Sequence, residues 1–247
     1  MNFLKILKFT ISGVFFAWIS AIVLFFLTAK TLSFGSITVT YQRYDDEQIL
    51  GILNESLEKL EPYPEIHELF TSGRSRTRII FANSNLLYYL LVPSQIISGR
   101  SYGTHYPFFG IQVIAKFDED KNIIGRTGKY RSASGVVTHE LVHEYTRSTF
   151  GAIRAISFKE WVYEGLADYI AQESSYGYDR GKKVLCQGLD DETASYKYFT
   201  YRVGVEYLVE KNERNVSHIL QSRSNFGEII SEAKLHFCGD ESTFHRS

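Results

Sequence analysis

The chain has 247 residues, 44% hydrophobic, 15% aromatic and 22% charged, a balance that excludes a disordered, collagen-like or many-span membrane protein. Its 27 Lys and Arg against 28 Asp and Glu leave a formal net charge of -1. No basic excess is present to neutralise a phosphate backbone, which excludes nucleic acid as a main partner.

Residues 9–29 carry no charge and lie between Lys5 and Lys8 on one side and Lys30 on the other. At about 1.5 Å per residue such a run spans a bilayer core, and it exceeds the roughly 7–15 apolar residues of a cleavable signal peptide. It predicts one transmembrane signal anchor, with the lipid bilayer as a partner. The lysines before it place residues 1–8 in the cytoplasm, and the remainder, residues 33–247, outside it as one domain. Within that domain residues 36–41 (SITVTY) alternate as a strand, and Ile49, Ile52, Leu53, Leu57 and Leu60 recur at helical spacing across residues 45–60. Residues 77–82 read as a second strand, 86–92 as a short helix or strand, and 110–117 (GIQVIAKF) as a third strand. The Gly, Ser and Tyr-rich stretch 98–107 reads as a mobile lid or an exposed connector.

From residue 132 the pattern turns helical, with candidates at 133–149, 158–174, 194–211, 216–222 and 226–236. Strands followed by helices predict an α+β fold with a small N-terminal sheet and a mainly helical C-terminal half. Cys186 and Cys238 are the only cysteines, and they fit a disulfide in an oxidising compartment or two unrelated buried thiols equally well.

The chemistry concentrates at His139-Glu140-Leu141-Val142-His143, an HExxH sequence. On a helix, positions i and i+4 share a face, so His139 and His143 can offer two imidazole nitrogens to one metal ion. Glu140 is rotated by about 100° and reaches a water there instead. A catalytic zinc takes three protein ligands and one water. Thr146 and Thr149 stand where one zincin class would place its glycine and third histidine, so the third ligand must come from elsewhere.

Downstream, Ser157 and Glu160 suggest a capping box opening a second helix, with Glu164 two turns inside it. Gly151 is a plausible stop for the first helix, letting the chain turn and bring Glu164 across as the third ligand. Asp168, four residues on, shares the face of Glu164 and could accept the outer N–H of a zinc histidine. Gly165 costs about 1 kcal/mol in a helix interior, which makes sense where two backbones approach closely.

HExxH followed at this distance by Trp161-Val162-Tyr163-Glu164-Gly165-Leu166-Ala167-Asp168-Tyr169 resembles the gluzincin zinc metallopeptidases, and most nearly their small membrane-tethered bacterial relatives. The resemblance covers roughly residues 110–210. It implies a zincin-like domain in which His139, His143 and Glu164 bind Zn2+, Glu140 is the general base and Asp168 orients His139. It also implies a peptide or protein substrate paired to a cleft-edge strand, for which residues 110–117 are the candidate. Gluzincins tend to supply an oxyanion donor from a Tyr or His after the third ligand; Tyr198 and Tyr201 are the candidates, Tyr198 being preferred for its distance to Tyr207. His67, His105, His218, His236 and His245 have no ligand-like spacing. The expected function is a membrane-anchored metallopeptidase facing the periplasm or cell surface; the alternative is an inactive zincin-like scaffold or adaptor binding envelope partners.

Overall fold

The structure is a computed structural model that describes residues 3–73, 76–98, 102–125, 129–189, 191–211 and 215–239, with the backbone alone for residues 3–11 and 97–98. Helix α1 (Phe3–Thr28) leads into an antiparallel pair, β1 (Lys30–Phe34) and β2 (Ile37–Tyr41). Gly35 makes the turn between them with a φ of +57°, and a Cβ there would stand 2.8 Å from the Phe70 carbonyl oxygen. Along β2, Ile37, Val39 and Tyr41 are buried while Thr38 and Thr40 are less so, as a pleated strand with one face on the core requires.

Helix α2 (Asp46–Glu58) begins at a capping box made by Asp45 and Gln48 and buries Ile49, Ile52 and Leu53. It is followed by α3 (Pro64–Thr71), started by Pro64 in its first turn, and by β3 (Thr77–Phe81). Then come α4 (Asn85–Leu91), capped by Ser84, and α5 (Ser94–Ser98). The hairpin β4 (Gly103–Tyr106) and β5 (Ile111–Ile114) completes a mixed sheet of order β1-β2-β3-β5-β4. Its inner neighbours β2, β3 and β5 run parallel and both outer strands run antiparallel to their neighbours. A small ribbon of β6 (Asn122–Ile124) and β7 (Tyr130–Ser132) delivers the chain to the helical half.

That half consists of α6 (Ala133–Phe150), α7 (Ala152–Ala155), α8 (Glu160–Ile170), α9 (Tyr178–Cys186), α10 (Ala194–Glu210), α11 (Val216–Leu220) and α12 (Phe226–Cys238). Helix α6 lies between α2 and the β4–β5 side of the sheet, and α8 packs between α6 and α10. A disulfide joins Cys186 at the end of α9 to Cys238 at the end of α12.

The fold is thus α+β, with a mixed sheet and mostly helices. The leading membrane-spanning helix expected over residues 9–29 must be corrected: among the described residues no helix is long and apolar enough to cross a membrane. The single-pass, extracytoplasmic localisation drawn from that helix falls with it. The segment is helical, but its last turns belong to the folded domain. Phe25 is buried in the common core, the Trp18 indole donates to the Leu90 carbonyl at 3.0 Å, and the Gln42 amide donates to the Phe25 carbonyl at 3.2 Å. An uncharged run states a need for apolar surroundings, and here α4 and the core meet part of it. The side chains of residues 1–8, expected on the cytoplasmic side, lie outside those described.

Two further expectations change. The strand of 110–117 is interior, since β5 has β3 on one side and β4 on the other; the stretch read as lid or connector contains β4, the terminal strand. The capping box at Ser157 does not form: Lys159 is the N-cap of α8, Ser157 donates to the Arg154 carbonyl, and Glu160 pairs with Lys197.

Candidate metal centre

Helix α6 starts where the Ser132 hydroxyl accepts from the Gly135 N–H at 2.9 Å, and it ends at Gly151 with a φ of +83°. Every residue from 133 to 146 is buried, because the helix is enclosed by α2, the sheet and α8. Ser56 Oγ of α2 lies 3.1 Å from the Ser134 carbonyl oxygen and Thr138 Oγ1 lies 3.3 Å from the Ser56 carbonyl oxygen, each hydroxyl also reaching a carbonyl of its own helix at 2.7 and 2.8 Å, so α6 packs on α2 with this rotation. That rotation turns His139 and His143 toward α8, their Nε2 atoms 3.0 Å apart.

Helix α8 brings Glu164 to them: its Oε2 stands 3.3 Å from His139 Nε2 and its Oε1 3.6 Å from His143 Nε2. One ligand atom from each of the three residues lies within 4.8 Å of the others, so His139, His143 and Glu164 form a group that could hold a metal ion. Ligands bound at about 2.0–2.1 Å to one tetrahedral ion stand about 3.3 Å apart, close to the spacings seen here. The donor set of two imidazoles and a carboxylate therefore fits such an ion without rearranging either helix. Gly165 permits the close packing of α8 on α10, because a Cβ there would fall 2.5 Å from the Tyr201 carbonyl oxygen.

Behind the ligands, the His139 Nδ1–H donates to Asp168 Oδ1 at 2.8 Å, which points Nε2 at the site. Arg131 Nη2 donates to the same oxygen at 3.1 Å, and its Nε lies 3.8 Å from Glu173. Burial opposes the charge on Asp168, but Arg131 and His139 outweigh it and keep its carboxyl below the usual range. Burial likewise opposes a charged His139, yet the bonds to Asp168 and Glu164 raise its pKa to about 10. His143 goes the other way, because burial dominates and lowers its pKa. The two histidines hold the Glu164 carboxyl well below its ordinary value despite its burial.

Glu140 is buried beside this group without belonging to it. Burial raises its pKa, with the nearby His139 and His105 pulling in the opposite sense. Above it passes β4, so close that a Cβ on Gly103 would sit 2.7 Å from Glu140 Oε1 and 2.9 Å from the Val136 side chain. Two residues along that strand, the His105 Nε2–H donates to Glu144 Oε2 at 2.9 Å, and Arg147 donates to both Glu144 oxygens at 2.8 and 2.5 Å. Arg147 and His105 keep the buried Glu144 carboxyl below its ordinary value. The strand nearest the metal group is thereby tied to the helix that carries it.

On α10, Tyr198 is half-buried, and burial together with the charge of Glu164 pushes its phenol up to about 12. Tyr201 is differently employed: it is buried, its hydroxyl donates to Glu160 Oε2 at 3.4 Å, and its ring packs on Phe226. The chain's two arms thus bring together His139, Glu140, His143, Glu164 and Asp168, with Tyr198 within electrostatic reach of Glu164. No protein-family model and no curated protein matches this chain.

Sequence reasoning missed several residues around the site. Arg131 precedes HExxH on a short strand and carries no motif; only the fold shows its guanidinium behind Asp168. His105 lacks ligand spacing, and its bond to Glu144 spans 39 positions. Glu144 directly follows the second histidine, and only the fold shows that its buried carboxylate meets His105 and Arg147.

Proposed function

We propose that this chain is a zinc-dependent peptidase of the gluzincin type. The observation that carries the reading is the meeting of Glu164 with both imidazoles, while Asp168 holds the far side of His139. Two imidazoles and one carboxylate form a common ligand set of hydrolytic zinc sites. A zinc ion held by these three side chains supplies Lewis acidity and lowers the pKa of a water molecule toward about 7.

The chain's own groups perform the remaining work. Glu140 lies next to the ligands, and no hydrogen bond or ion pair among the described residues occupies its carboxylate. Its raised pKa suits it to take a proton from water and pass it to the departing amine. The Tyr198 phenol, at about 12, keeps its proton at neutral pH and can donate a hydrogen bond to a developing oxyanion. Among the described residues one side of β4 has no strand beside it, and an extended peptide can add there with its backbone above Glu140. That edge takes over the role expected of residues 110–117. The absence of a side chain at Gly103 leaves room for Glu140 to work beneath the strand.

The test is metal analysis of the purified full chain, followed by cleavage of an unstructured protein by the zinc-loaded wild type and Glu140→Gln. Stoichiometric zinc, cleavage by the wild type and loss of about 100-fold or more in the variant are expected. Zinc without cleavage would favour an inactive scaffold, and absence of zinc would sink the whole reading.

A further inference from the structure

The two histidines of the metal group are held by different physics. His139 has a carboxylate on its outer nitrogen, whereas His143 Nδ1 is buried with no hydrogen-bond partner among the described residues. An imidazole bound through one nitrogen and free at the other retains rotation about χ2, which is a broad torsion for histidine. Something else must set the plane of this ring.

The ring of Tyr163 lies flat against His143, with centroids 3.9 Å apart and planes inclined by only 11°. His139 meets the same imidazole edge-on, at 4.6 Å and 87°. Tyr163 immediately precedes Glu164 on α8, so one helical turn delivers a ligand and a plate against the opposing ligand. The Tyr163 ring is partly buried in this position.

We propose that Tyr163 is a positioning residue for His143, its aromatic face taking the place of the hydrogen bond that the outer nitrogen lacks and aiming Nε2 at the metal. This rests on the metal-site reading above and adds a residue that the HExxH and third-ligand motifs do not contain. The ring is what matters, so phenylalanine should serve and an aliphatic side chain should not.

The experiment measures Zn2+ affinity of the full chain by competition with a chelator for wild type, Tyr163→Phe and Tyr163→Leu. In parallel, the His143 ring protons are followed by NMR in the metal-free proteins. The zinc dissociation constant should rise about 10- to 100-fold in Tyr163→Leu and stay within about twofold of wild type in Tyr163→Phe. The stacked ring should shift the His143 protons upfield in wild type and Tyr163→Phe, an effect lost in Tyr163→Leu. Equal zinc affinity in all three proteins overturns the proposal, as does a Tyr163→Phe variant as weak as Tyr163→Leu. If Tyr163→Leu does not fold, unshifted His143 protons in the wild type overturn it alone. A wild type that shows the shift but binds no zinc overturns the proposed function, because it leaves the plate without a metal ligand to position.

Discussion

Replacing Gly165 by alanine separates local helix preference from the packing that builds the site. In an isolated helix the change adds about 1 kcal/mol of stability. Here the new Cβ would fall 2.5 Å from the Tyr201 carbonyl oxygen and 2.7 Å from its carbon. To regain an ordinary contact of 3.4 Å, α8 must retreat from α10 by about 0.9 Å. Overpacking of this kind costs about 1–3 kcal/mol, and a backbone obstacle that cannot rotate away places it at the upper end. The net effect is then a loss of about 2 kcal/mol, or about 4–8 °C in Tm for a domain of this size. The retreat also carries Glu164 toward or across the two imidazoles by several times the ±0.2 Å or so that a metal site tolerates. Zinc affinity should therefore fall at least about tenfold, equivalent to roughly 1.4 kcal/mol. Thermal unfolding of the metal-free chain and chelator competition read the two effects separately. A Gly165→Ala protein with a higher Tm and unchanged zinc affinity would refute the close approach of α8 and α10.

Three other outcomes are expected. Asp168→Asn should weaken zinc binding by about 10- to 100-fold, read by chelator competition, because a neutral amide holds the His139 N–H less firmly and leaves Arg131 without its buried counter-charge. With the pKa of His139 raised to about 10 in the metal-free protein, a zinc ion binding there as proposed would have to displace one proton from it at neutral pH. Calorimetry in buffers of different ionisation heat should record release of about one proton near pH 7, and apparent affinity should climb with pH until about 10; an affinity independent of pH would contradict this. Reducing the Cys186–Cys238 disulfide, which spans 52 positions, should remove about 4 kcal/mol by relaxing the constraint on the unfolded chain. Urea unfolding with and without a dithiol reductant measures it, and coincident curves would count against that contribution.

The metal group was largely legible before folding because helices translate spacing into direction. The four-residue interval of His139 and His143, and that of Glu164 and Asp168, each place two side chains on one helical face whatever surrounds the helix. The α+β order was legible for a similar reason, since alternation and helical periodicity are local. Strand β4 was not: Gly-Thr-His-Tyr has little β-branched character, and it becomes a strand because β5 offers it a ladder. Burial of Phe25 near the end of the uncharged leading helix was equally hidden, since apolar residues state what they avoid without naming what will cover them. The capping box at Ser157 failed through competition, with Lys197 of α10 claiming Glu160.

By itself the sequence determined that one helix carries two imidazoles on a shared face with Glu140 beside them, and a second helix two carboxylates on another, because helical geometry acts over a few residues. Only the tertiary structure decided that Glu164 reaches both imidazoles and that Arg131 stands behind Asp168. It alone placed Tyr163 against His143, β4 over Glu140, and Cys186 with Cys238. Those arrangements depend on how separate elements pack, and packing is set by the summed shape of surfaces distant in the chain, which no local pattern encodes.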